Sequence, residues 1–193
     1  MKYFVGGING VGKTHFLGKL KELKPDYELV DGSKEFMEWL GFNDDYERLR
    51  KLIPEIRDAK LAEFISQTLN KSEAGTLVYI GHFIVLVRGE IIHVVRDWLS
   101  RFDGIVLMTA RPDVIMSRIS QDDRDRALFP DNTSDEQALQ ILKDYQLKEH
   151  VAFLELGEQF GIPKVLIDNS ESNADNNVYQ FLDFDARIRR SYI

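Results

Sequence analysis

Residues Gly7-Ile8-Asn9-Gly10-Val11-Gly12-Lys13-Thr14 fit the pattern G-x-x-x-x-G-K-[ST] without a mismatch. Glycine loses more backbone freedom on ordering than any other residue, so a cluster of it marks a place where bare backbone is needed. Here the need is chemical. Successive N–H groups can turn inward around phosphate oxygens, and the helix that follows contributes its positive end. Lys13 can reach the terminal phosphates, and Thr14 offers a hydroxyl to Mg²⁺. Gly7, Ile8, Asn9, Gly10, Val11, Gly12, Lys13 and Thr14 are therefore the candidate ATP contacts, with Lys13 also a catalytic candidate and Thr14 the metal-ligand candidate. His15, one residue further on, is a candidate for an additional phosphate contact. The expected cofactors are ATP and Mg²⁺.

Such a loop needs a strand before it and a helix after it. "KYFVGG" reads as a short buried strand, and "GKTHFLGKLKEL" as an amphipathic helix with Phe16, Leu17, Leu20 and Leu23 on one side. "YELVDG" reads as a second strand followed by a turn, "TLVYIGH" as a third, "GIVLMTA" as a fourth and "PKVLI" as a fifth. The block 33–70 has helical patterning, with Pro54 placed to begin a helix. "FIVLV" and "IIHVV" flank Arg88-Gly89-Glu90, a hairpin signal. Pro112 takes a first helical position before "DVIMSRIS", and "QDDRDRALFPDNTS" has no apolar periodicity and reads as a loop. Ser134 with Gln137 makes a capping-box signature ahead of a long helix, and "VYQFLDFDARIRR" closes the chain as another. Strands alternating with helices predict an α/β protein: a three-layer P-loop NTPase fold, with a five-stranded parallel sheet and helices on both faces.

With 193 residues, 44% of them hydrophobic, the chain can bury one sizeable core. A net charge of −7 speaks against DNA, RNA or an anionic membrane as partners, because counterion release needs a basic face. No apolar run approaches the roughly 20 residues of a membrane span, so a cytoplasmic location is expected. The absence of cysteine excludes disulfides, thiolate catalysis and sulfur-ligated metal, and the histidines show no metal-ligand spacing. Between Lys71 and Lys143 the basic residues other than histidine are all arginine: Arg88, Arg96, Arg101, Arg111, Arg118, Arg124 and Arg126. The arginine fork matches phosphate oxygens in a bidentate way that lysine cannot.

No N-K-x-D guanine motif is present, and "TLVYIGH" and "GIVLMTA" do not end in the one or two acidic residues of a motor ATPase strand. Asp31 after "YELV" and Asp168 after "KVLI" are acidic but equally suit caps or turns. Over nearly its whole length the chain resembles the archaeal-type adenylate kinases and related small nucleoside monophosphate kinases. The resemblance rests on the P-loop, "DGSKEFMEWLGFNDDYERLRKL", "YIGHFIVLVRGEIIHVV", "MTARPDVIMSRISQDDRDR" and "GIPKVLIDN". It implies one kinase domain over 1–193, with a helical acceptor-binding insertion at 32–72 and a short lid at 120–134. It places Arg50 on the acceptor phosphate and His82 at the acceptor site, makes Arg118, Arg124 and Arg126 catalytic lid arginines, and sets Asn169 near the ATP base.

The activity implied is transfer of the ATP γ-phosphoryl to a small nucleotide acceptor, a nucleoside monophosphate. The chain departs from the family at Ile80 and Gly81, where an aspartate is usual, at Tyr46 in place of an arginine, and at His150 in place of an arginine facing the phosphates. Asp31 is the substitute candidate for the absent magnesium organiser. Tyr46 and His150 keep open a kinase of another small metabolite or nucleoside, and Ile80 a catalytically weak nucleotide-binding regulator.

Overall fold

The computed structural model describes residues 1–193 apart from 44, 96, 123–127, 172, 173 and 193 and the side chain of 174. In chain order the elements are β1 (Lys2–Gly6), α1 (Lys13–Leu23), β2 (Glu28–Asp31), α2 (Gly32–Trp39), α3 (Tyr46–Arg50), α4 (Pro54–Lys71) and β3 (Leu77–Ile80). Then come β4 (Ile84–Val87), β5 (Glu90–His93), a 3₁₀ turn (Asp97–Arg101), β6 (Gly104–Thr109), α5 (Pro112–Ser120), α6 (Asp135–Gln159), β7 (Lys164–Asp168) and α7 (Ala174–Ser191). Five strands form one parallel sheet in the order β2-β3-β1-β6-β7. β4 and β5 form a separate antiparallel hairpin.

Strand alternation explains the three layers. Tyr3 and Val5 of β1 point into one apolar cluster with Phe16, Leu20, Phe181 and Phe184 of α1 and α7. Phe4 points the other way, into a cluster with Phe36, Phe64, Tyr79, Phe83, Trp98 and Phe102. Because successive side chains of a strand face opposite sides, each face needs its own cover. Around Phe4 the rings of Phe83, Trp98, Phe102 and Tyr79 lie with centroids 5.1, 5.5, 5.6 and 5.8 Å away, an aromatic floor beside the end of the sheet that carries the loop. Such pairs add about 0.5–1.5 kcal/mol each beyond their burial.

Local signals account for most boundaries. Pro54 and Pro112 begin α4 and α5. Ser134 Oγ accepts from the Gln137 amide at 3.3 Å, and Gln137 Oε1 accepts from the Ser134 amide at 2.9 Å, completing the capping box of α6. The hairpin turns on two residues, Arg88 and Gly89, both with positive φ (49° and 83°), the backbone that a tight hairpin loop requires. Three details differ from the sequence expectation. Leu23 is 42% exposed, because it sits at the last turn of α1 beyond the sheet. No turn separates β2 from α2, since Asp31 itself caps the helix by accepting from the Lys34 amide at 3.3 Å. α7 begins at Ala174, ahead of the apolar run that starts at Val178. Among the described residues no helix is long and apolar enough to cross a membrane.

Candidate active site

β1 ends against β3 and β6, with Val5 level with Ile80 and Gly6 level with Leu107, and the chain then curls through Gly7–Gly12 into α1. Gly12 caps α1 at φ 99°, with no side-chain cap, so the first-turn N–H groups are left to a ligand. A Cβ at Gly12 would stand 2.4 Å from Asn169 Nδ2, so with its left-handed backbone a side chain there would be strained and would push Asn169 aside. Lys13 Nζ donates to the carbonyls of Gly7 at 2.5 Å and Ile8 at 3.1 Å, which folds the ammonium over the loop. Thr14 and His15 are exposed on the first turn of α1.

The outer wall of the loop is clamped from two helices. Arg118 on α5 donates to Val11 O at 3.1 Å and Asn169 O at 3.0 Å. Asn169, buried just past β7, donates from Nδ2 to Val11 O at 2.6 Å and accepts at Oδ1 from Asn177 Nδ2 of α7 at 2.6 Å. Beyond this clamp a polar cleft of about 270 Å³ is lined by Arg111, Asp168, Ser170, Glu171, Asn176 and Asn177.

On the other side lies a cavity of about 260 Å³ whose rim includes Asn9 of the loop itself. Its floor is apolar and aromatic: Phe4, Phe36, Leu61, Ile65, Tyr79 and Trp98. Its polar lining is sparse and includes Ser33, Tyr46, Arg50, Arg57 and His82. Arg50 ends α3 and pairs with Glu47, and Arg57 of the first turn of α4 pairs with Asp58 at 3.2 Å. Trp98 is 7% exposed, and its indole Nε1 has no hydrogen-bond partner among the described residues. Leu128, also lining the cavity, accepts at its carbonyl from the Gly89 amide at 3.0 Å, so the stretch before α6 rests on the tip of the hairpin.

The family pattern of an AAA domain matches residues 6–136, more than half of the chain. The chain belongs to the AAA domain family. No curated protein matches this AAA domain chain in sequence. Among solved structures it is similar to shikimate kinase from Bacteroides thetaiotaomicron, with a TM-score of 0.67 and 11% identity over 95% of this chain and 97% of that one. Shikimate kinase from Acinetobacter baumannii in complex with shikimate gives 0.67 and 15% over 96% and 93%. A sugar kinase from Janibacter sp. HTCC2649 gives 0.57 and 15% over 95% and 92%. At these identities the likeness is one of fold, that of the P-loop kinases, and it agrees with the sheet order and the position of the loop.

The residues of this AAA domain chain fit a magnesium nucleotide. The first-turn amides of α1, Lys13 and the Thr14 hydroxyl form a donor set for phosphates and for one cation held mainly by phosphate oxygens and water. Among the described residues no cluster of three or more His, Asp or Glu could hold a metal by itself. Asp31, paired with Ile80 at the end of β2, stands at the same edge of the sheet.

Of the sequence candidates, the fold brings Gly7–Thr14, Arg118 and Asn169 together, and sets Arg50 and His82 around the neighbouring cavity with Asn9 between the two groups. Arg124 and Arg126 lie outside the described residues. His150 stacks edge-on against Phe153, 6.5 Å between centroids, and it is the preceding residue, Glu149, that is buried toward the loop. Glu149 is 2% exposed, and Oε1 has no partner among the described residues. Burial pushes its carboxyl up to about 8, against the Lys13 ammonium and the amides of Phe83 and Ile8, which pull it down. Glu149, Arg57 and Trp98 escaped the sequence reading. Only Glu149 leaves a signal there, an acid four residues after Tyr145 and seven after Leu142 on the apolar stripe of α6.

Proposed function

We propose that this chain is an ATP-dependent phosphotransferase that moves the γ-phosphoryl group to a small acceptor in the 260 Å³ cavity, and that the acceptor is a nucleoside monophosphate. The observation that carries the reading is Asn9: a residue of the phosphate-binding loop forms the rim of a second, separate cavity. A transferable phosphoryl group and an acceptor oxygen can then meet at one edge. Phosphoryl transfer asks little covalent chemistry of a protein. It needs two reactants in line, cationic groups around the moving charge, and exclusion of water. Lys13 and the loop amides hold the donor phosphates, and Arg50 and Arg57 are the cations facing the acceptor side. The 120–134 stretch serves as lid, and within it the Leu128 carbonyl accepts from the Gly89 amide at the hairpin tip. Mg²⁺, when bound beside Thr14, supplies further neutralisation of phosphate charge.

The chemistry of the lining favours a planar base over a polyhydroxylated ring. A sugar or a cyclitol must have each buried hydroxyl paired, whereas this floor is built of Phe4, Phe36, Leu61, Ile65 and Tyr79. The single indole N–H of Trp98 suits a ring nitrogen or carbonyl of a base. Kinase neighbours named for shikimate and sugar support the second reading, another small metabolite as acceptor, and Tyr46 on the cavity wall is the residue that favours it.

Phosphoryl transfer from MgATP to AMP, GMP, CMP, UMP and dTMP, with shikimate and simple sugars alongside, tests the proposal. Turnover on a monophosphate is expected. Turnover confined to a polyol moves the acceptor to the second reading, and nucleotide binding without any transfer makes the chain a nucleotide sensor. In the same assay Trp98→Phe is expected to raise the acceptor KM about tenfold, the worth of one buried hydrogen bond, with the ATP KM unchanged. Equal acceptor KM values in the two proteins would remove Trp98 from recognition.

A further inference from the structure

α6 carries a polar seam on its buried face. Tyr145 Oη donates to Ile84 O at 3.0 Å and accepts from the Leu86 amide at 3.1 Å, and Gln146 Nε2 donates to Ala110 O at 2.6 Å. One turn further on, Glu149 faces the amides of Ile8 in the loop and Phe83 before the hairpin. A bare carboxylate at this depth is costly unless it is paired. The groups that act on it electrically among the described residues are Lys13, from the start of α1, and Tyr145, on its own helix. The loop and the hairpin approach it with backbone N–H groups only.

Lys13 is the one cation of this set, and it is also the group that nucleotide phosphates draw toward themselves. Its ammonium is folded back onto Gly7 O and Ile8 O, within electrostatic reach of Glu149, which is 2% exposed and whose Oε1 has no hydrogen-bond partner among the described residues. When Lys13 extends to the phosphates, Glu149 loses its countercharge while its burial is unchanged. We infer that Glu149 is a positioning residue whose carboxylate form draws Lys13 over the loop and takes up a proton from solvent when nucleotide draws Lys13 away. The balance is simple: one proton is gained at a Glu149 oxygen, Lys13 stays an ammonium ion, and no covalent bond to the nucleotide changes. The inference rests on the nucleotide site proposed above.

The sign of the effect follows from linkage. Removing a nearby positive charge raises a carboxyl pKa, so binding must be accompanied by proton uptake wherever Glu149 is partly ionised beforehand. That condition holds at about pH 8, where free γ-phosphate is already fully ionised and brings no proton of its own. Calorimetric titration of the whole protein with MgATP, at about pH 8 in buffers of different ionisation enthalpy, counts the protons directly. About half a proton taken up per nucleotide is expected for wild type, and about none for Glu149→Gln. Binding by wild type without proton uptake overturns the inference and leaves the nucleotide site standing. The same uptake in Glu149→Gln assigns the proton to another group and also overturns it. Absence of binding heat overturns the nucleotide site and the inference together. A wild-type count of zero overturns the inference without any variant, so a Glu149→Gln protein that failed to fold would not shield the claim. A purely structural role for Glu149 would leave the proton count at zero.

Discussion

Lys13→Ala is expected to lower phosphoryl transfer from MgATP by about 10³-fold or more while the protein stays folded. As the phosphoryl group moves, negative charge spreads over its oxygens, and a cation in a water-poor loop is worth far more than one in bulk solvent. Lys13 is that cation on the donor side: it leaves the loop at the first residue of α1, and its Nζ already lies 2.5 Å from the carbonyl of Gly7. The fold depends on it much less. The hydrogen bonds it donates to the carbonyls of Gly7 and Ile8 can be taken over by water. Glu149, whose carboxyl burial already pushes up to about 8, stays neutral at pH 7 without Lys13, so no bare buried charge is created. A melting temperature within about 4 °C of wild type is therefore expected. Coupled assays with the best acceptor, together with circular dichroism melts, check both halves. Transfer at the wild-type rate would remove Lys13 from the chemistry, and with it the assigned role of the loop.

The largest loss of stability is expected far from the site. Asp185 of α7 is 5% exposed and accepts from Tyr3 Oη at 2.5 Å, Tyr27 Oη at 2.9 Å and Arg189 Nε at 2.8 Å. Arg189 in turn reaches Thr76 Oγ1, so one carboxylate ties α7 to β1, to the start of β2 and to the residue before β3. Alanine there would strand two tyrosine hydroxyls and a guanidinium, and a loss of roughly 3 kcal/mol is expected in urea unfolding. A loss below about 1 kcal/mol would show that water replaces the carboxylate at no cost.

The same group predicts a pH dependence. Burial pushes the Asp185 carboxyl up, but hydrogen bonds from Arg189, Tyr3 and Tyr27 outweigh it and hold it below the ordinary aspartate range. A carboxyl whose folded pKa is depressed contributes its full stabilisation above the unfolded value of about 3.9 and loses it as pH falls through the folded value. Asp185→Ala should therefore flatten the acid limb of the stability profile as well as lower its plateau. An acid limb of unchanged steepness would assign it to other carboxylates.

The phosphate-binding loop was legible from residues alone because its chemistry is local. Consecutive glycines set the backbone turns, and Lys13 and Thr14 follow at distances fixed by the start of a helix. The five parallel strands were legible for a similar reason, each being a short apolar run bounded by turn or helix signals that two covered faces demand. Arg57 and Trp98 were not, because an arginine in a helix and a tryptophan in a 3₁₀ turn look alike whether they line a cavity or face solvent, and only the packing of α4 and the 97–101 turn on β1 decides. His150 and Glu149 show the limit most sharply. One residue along α6 is about 100° of rotation, enough to turn a histidine onto Phe153 and an acid toward the phosphate loop. Sequence by itself determined that this chain has a parallel sheet and a phosphate-binding loop, since both are written in neighbouring residues. Tertiary structure alone decided what surrounds that loop, because the cavity wall and the carboxylate beside Lys13 come from segments far apart in the chain, and their facing depends on how helices roll against the sheet.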